Sequence, residues 1–124
     1  MAFPTDVVIV DASSADATYS QISLESGRSV RSDASRELGA PRSLTIGHTI
    51  NGKSINAKDR HLVRLDLVES DPDSATAAVV SGSAYVVIEN PRRVITRDMI
   101  KDMVVQLKNF LSDANMDKIL NNEP

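Results

Sequence analysis

His48 and His61 are the only imidazoles in the chain, and so the first residues to test for acid–base, nucleophilic or metal-ligating work. His48 alternates with Leu44, Ile46 and Ile50, which predicts a half-buried core histidine satisfied inside the fold rather than a ligand. With no cysteine among 124 residues, thiolate nucleophiles, thiolate–zinc sites and disulfides are excluded. Asp71 and Asp73 offer hard oxygen ligands, but two carboxylates fall far short of a cation site, and Asp-Pro-Asp reads as a turn. The remaining carboxylates are dispersed, with no visible pair for proton transfer. No HExxH, GxSxG or phosphate-loop pattern occurs. An enzyme would have to rest on Asp66 or His61, and only a cleft gathering such groups would support one. The expectation is no catalysis, no metal and no cofactor.

Other residues point to binding. Thr45, Gly47 and Thr49 share one side of an alternating segment, Arg64 and Asp66 share one side of the next, and Tyr85 stands in a third. Hydroxyls can bond phosphate or ribose, arginine neutralises phosphate, and tyrosine offers a stacking plane, which together suit unpaired RNA. An ordinary water-facing sheet surface has the same composition, so the residues alone leave both readings open. The net charge of −3 argues against a polyanionic partner, but its distribution argues the other way. Residues 28–64 hold eight basic against three acidic residues, and the rest of the chain six against fourteen.

The elements that must position these residues are short strands followed by helix. Apolar or alternating runs predict strands over residues 6–10, 18–24, 28–31, 43–50, 61–69 and 83–89. Turn signals punctuate them: Ser26-Gly27, the polar stretch 32–42 with Gly39 and Pro41, Asn51-Gly52, and a long connection over 70–82. In the strand at 43–50, Leu44, Ile46 and His48 oppose Thr45, Gly47 and Thr49; in the strand at 61–69, Val63, Leu65 and Leu67 oppose Leu62, Arg64, Asp66 and Val68. The period then changes. Met99, Ile100, Met103, Val104, Leu107, Phe110 and Leu111 form one apolar stripe on a helix capped by Thr96, with Asp98 in its first turn. Ser112 to Asn115 break that helix and open a shorter one containing Met116, Ile119 and Leu120.

The predicted fold class is therefore α+β: an antiparallel β-sheet, with an N-terminal hairpin and about five strands, followed by two C-terminal helices. The 13.4 kDa chain is one domain's worth: residues 1–42 hold the hairpin and first strands, 43–90 the central sheet, and 96–121 the helices. Hydrophobic residues make up 41% and aromatics only 3%, so the core must be aliphatic. No stretch approaches the roughly 18 apolar residues of a membrane span, and no basic region precedes an apolar run at the start, so no membrane association or secretory signal is expected.

The stretch from Ser43 to Ser112 carries an alternating strand, an Asn-Gly turn, HLVRLDLVE, a long loop, SAYVVIENP and the helix TRDMIKDMVVQLKNFLSD. In order, spacing and residue type it resembles the coat proteins of single-stranded RNA bacteriophages, the levivirus-like coat proteins. The resemblance implies a homodimer whose sheets join edge to edge and whose helices cross to the other subunit. The stripe at Met99, Ile100, Met103, Val104, Leu107, Phe110 and Leu111 would be the dimer interface, covering the partner's sheet at Leu44, Ile46, Val63, Leu65 and Val86. It also implies an icosahedral shell of T=3 type around the single-stranded RNA genome, made in the bacterial host cytoplasm and residing in the virion. The loop at 70–82, with small residues such as Ala75, Ala77, Ala78 and Gly82, would meet its copies around symmetry axes. RNA would lie on the inner sheet face at Thr45, Gly47, Thr49, Arg64, Asp66 and Tyr85. Thr45 and Arg64 match the family's pattern, whereas Gly47 and Thr49 stand where a hydroxyl and a basic residue are common. Related coat proteins also repress translation through an RNA hairpin. The rival reading is a small dimeric α+β module of cellular origin that binds nucleic acid or protein and forms no shell.

Overall fold

Alternating side chains give a strand two faces, and six such strands follow one another here in space as in sequence. They are β1 (Asp6–Val10), β2 (Asp16–Glu25), β3 (Arg28–Asp33), β4 (Arg42–Thr49), β5 (Lys58–Ser70) and β6 (Val79–Pro91), in one antiparallel sheet of order β1-β2-β3-β4-β5-β6. The computed structural model describes residues 3–50, 52–73, 75–76 and 78–124. The N-terminal hairpin is continuous with the sheet. Backbone contacts divide the chain into two compact units, one of residues 1–50 and 60–89, the other of residues 51–59 and 90–124.

In the first unit the register places Tyr19 opposite Val7 and Asp33, Arg31 opposite Leu44, and Leu44 opposite Leu65. These residues share one face, and its core is Tyr19, Leu44 and Ile46, packed by Val7, Ile9, Ala17 and Leu65. Burying an aliphatic side chain of this size contributes about 1.5–3 kcal/mol. Leu44 and Ile46 are thus covered by their own chain rather than awaiting a partner's helix, because the β1–β2 hairpin brings its own apolar residues to them. Val63 and Val86 remain 42% and 40% exposed.

Arg31 is only 1% exposed. Its guanidinium donates to the Pro4 and Thr5 carbonyls and to Ser29 Oγ, at distances of 2.7 to 3.3 Å. A buried cation is tolerable only when its donors are satisfied, and here they pin the chain leading into β1. A bulge between Gln21 and Ser23 shifts the β2 register. The two-residue turn Ser26-Gly27 needs glycine: its φ is +78°, and a Cβ would lie 3.1 Å from the His48 carbonyl.

Three local expectations change. His48 is exposed rather than half-buried, because the core ends at Ile46 and β4 runs one turn of pleat beyond it. The connection expected over 70–82 spans only 71–78, since β5 and β6 extend to Ser70 and from Val79; Ala77 lies outside the described residues. The link from β4 to β5 is longer than a tight hairpin, with Gly52 at φ +69°; Asn51 also lies outside the described residues.

The second unit contains α1 (Arg97–Phe110) and α2 (Asp113–Leu120). Thr96 caps α1 by accepting from the Met99 N–H, with Asp98 in the first turn and Lys108 in the last, where each favours the helix dipole. Ser112 caps α2 in the same way through the Asn115 N–H. Arg92 bonds the Asp59 carboxylate at 2.8 Å and the Ser54 carbonyl at 3.2 Å. No residue of either helix is buried. No helix of the described residues is long and apolar enough to cross a membrane.

Candidate nucleic-acid interface

The face of the sheet opposite the core is assembled by register. Thr45 stands opposite Arg64, Gly47 opposite Leu62, Thr49 opposite Arg60 and Ser43 opposite Asp66, while β3 brings Arg28 beside Gly47. Five of the six residues expected to contact RNA therefore share one surface: Thr45, Gly47, Thr49, Arg64 and Asp66 line a shallow hollow of about 720 Å³. Thr45 forms its floor and is only 6% exposed. At Gly47 a Cβ would meet nothing within 4 Å, so the missing side chain simply leaves the hollow open there.

The sixth residue, Tyr85, joins the same surface from β6. The Arg64 guanidinium carbon lies 5.7 Å from its ring centroid, within cation–π range, and the ring is 62% exposed. Arg64 Nε donates to Asp66 Oδ1 at 2.8 Å, with the two side chains 44% and 29% exposed. The Asp66 carboxylate thus holds the Arg64 guanidinium on this face. Its pairing leaves Arg64's terminal nitrogens for another acceptor.

Arg28 and Arg60 also line the hollow and were not among the residues singled out. Their signal was parity: Arg60 of β5 faces Thr49, and Arg28 of β3 faces Gly47. Three arginines thus surround the hydroxyls, against Glu25 and Asp66. The surface suits a ligand with phosphates and flat bases better than a small neutral molecule.

Other candidate residues lie elsewhere. Asp71 accepts from the Asp73 N–H at 2.9 Å, which makes the pair a turn. Strand alternation turns the His48 and His61 side chains away from Thr45, Gly47 and Thr49, and His48 also borders the hollow where β4 ends. Of the apolar stripe on α1, Met99, Met103, Leu107 and Phe110 are 53–59% exposed and Leu111 45%, while Ile100 and Val104 are intermediate.

No protein-family model matches the sequence, and no curated protein does. Solved structures do. The virus-like particle of bacteriophage AVE019 aligns over 94% of this chain and 93% of its own, with TM-score 0.74 and 13% identity. That of bacteriophage NT-214 aligns over 99% and 98%, with TM-score 0.73 and 18% identity. That of Wenzhou levi-like virus 1 aligns over 97% of both chains, with TM-score 0.67 and 12% identity. Strand order, the two terminal helices and nearly every residue of the length take part, so this chain has the fold of the coat proteins of levivirus-like bacteriophages.

Proposed function

We propose that this chain is a bacteriophage coat protein that forms homodimers, assembles them into an icosahedral shell of T=3 type and packages single-stranded RNA against the open sheet face. The observation that carries this reading is the end-to-end correspondence with chains that build virus-like particles. Two features of the chain support it. Its last strand, β6, is 13 residues long and ends the sheet, with Val79 and Val80 each 60% exposed; a long apolar edge of this kind favours pairing with another copy. The α1 stripe, with Met99, Met103, Leu107 and Phe110 each more than half exposed, supplies an apolar surface for a partner's sheet, with the partner's Val63 and the partner's Val86 as natural contacts there.

RNA contact falls to Arg28, Arg60 and Arg64 for phosphate, Thr45 and Thr49 for hydroxyl bonds, and Tyr85 for stacking. Gly47 leaves room for a base, and Asp66 holds Arg64. The protein then resides in the virion after synthesis in the bacterial host cytoplasm. Repression of translation through an RNA hairpin is a further role of the same surface. The test is to express the chain alone, treat the purified material with ribonuclease, and extract what survives. Nuclease-protected RNA inside sedimenting particles supports the reading. Particles devoid of RNA refute the assignment of the sheet face, and a dimer without particles favours a cellular binding module.

A further inference from the structure

The chain's two imidazoles meet across β4 and β5, beside the rim of the hollow that His48 borders. Register sets His48 directly across from His61. The His48 N–H points away from β5, donating to the Gly27 carbonyl of the neighbouring turn at 2.7 Å. The His48–His61 pair is therefore of the non-hydrogen-bonded kind, in which facing side chains approach most closely. The rings are 5.1 Å apart between centroids at an interplanar angle of 68°, and their Nδ1 atoms are 2.9 Å apart. His48 is exposed and His61 intermediate, so the pair is reachable from solvent.

Two imidazole nitrogens at this separation share one proton or, with both lone pairs free, one cation. We propose that His48 and His61 form a two-imidazole site for a divalent transition-metal ion of the Cu²⁺ or Ni²⁺ type, with water completing the coordination. The spacing selects the ion. Nitrogens 2.9 Å apart, each about 2.0 Å from a shared ion, subtend about 90° there, the angle between adjacent ligands of a tetragonal site. A tetrahedral zinc site would hold its nitrogens about 3.3 Å apart. Calcium and magnesium prefer oxygen and have no reason to choose two imidazoles. The described residues contain no group of three His, Cys, Asp or Glu that could hold a metal, so the protein supplies two ligands and the remaining positions stay exchangeable. The strands are already paired, so the two imidazoles stand side by side with no change of backbone.

The test uses the purified full chain in its native assembly, stripped with chelator and titrated with Cu²⁺ or Ni²⁺ by calorimetry, alongside His48→Gln and His61→Gln. The expected result is one ion bound per chain, weakened about tenfold or more in either variant. The Cu²⁺ electron paramagnetic resonance spectrum of the wild type should show hyperfine coupling to two imidazole nitrogens. Absence of binding, or binding that survives both substitutions, overturns the proposal. Circular dichroism checks that the variants fold; if one does not, the wild-type nitrogen count decides, and a spectrum showing fewer than two imidazoles overturns it.

Discussion

Replacing Arg64 by Ala removes one guanidinium from the centre of the sheet face and leaves the fold in place. The side chain is 44% exposed and its pairing with Asp66 lies at the surface, so the substitution costs at most about 1 kcal/mol of stability. With Nε donating to Asp66 at 2.8 Å, the terminal nitrogens can serve one phosphate. One phosphate contact on single-stranded RNA contributes about 0.7 to the slope of log affinity against log salt. From about 50 to 200 mM salt, that difference changes the wild-type-to-variant affinity ratio by about threefold. The assay is fluorescence anisotropy of a labelled, unstructured RNA against the dimer across that salt range. Arg64→Ala should bind about fivefold more weakly at low salt, corresponding to about 1 kcal/mol, with the gap closing as salt rises. Tyr85→Ala is the contrasting control: loss of stacking costs about 1–3 kcal/mol per base and leaves the salt slope unchanged. Coincident salt dependences for wild type and Arg64→Ala, at equal affinity, would refute the placement of RNA on this face.

Other expectations concern assembly and stability. Leu107→Asp should block dimerisation, since an unpaired charge buried under a partner's sheet costs several kcal/mol; a wild-type dimer in analytical ultracentrifugation would contradict the exchanged-helix arrangement. Arg31→Ala should lower stability by about 3 kcal/mol or more in urea unfolding, because the Pro4 and Thr5 carbonyls and Ser29 Oγ lose their donor; a change below about 1 kcal/mol would show that water replaces the guanidinium. The Ser35 hydroxyl and N–H both donate to Asp33 and hold its carboxyl below its ordinary value of 3.8. A lowered folded-state pKa adds stability that is complete above 3.8 and lost as pH falls through the folded value. Urea midpoints should therefore show Asp33→Asn less stable than wild type near neutrality, with the difference shrinking below that pH; a constant offset would contradict it.

The parts of the fold governed by local periodicity were legible in the sequence. Strict alternation in β4 and β5 placed Thr45, Gly47, Thr49, Arg64 and Asp66 on one face, and the α1 stripe with its Thr96 cap placed the helix. What periodicity could not express depends on neighbours distant in sequence. In sequence Arg31 is only one of the eight basic residues of 28–64, yet it is buried against two carbonyls from the chain's start. His48 reads as core because its strand alternates, yet the hairpin that covers Leu44 and Ile46 does not reach it. The resemblance sets Leu44 and Ile46 under a partner's helix, and nothing local in the sequence shows that β1 and β2 supply their cover. Arg28 and Arg60 became visible only when register set them beside Gly47 and Thr49. The strand end at Ser70 and the start at Val79 were missed because Ser70 and the Ser81-Gly82-Ser83 run carry little strand signal of their own, while cross-strand pairing extends through them.

The central claim is that this chain closes into shells around RNA. Size-exclusion chromatography of the protein expressed alone, with absorbance read at 260 and 280 nm and electron microscopy of each peak, tests it most directly. The account predicts uniform particles near the void volume carrying nucleic-acid absorbance. A single dimer peak free of nucleic acid, unchanged when RNA is added, would contradict it.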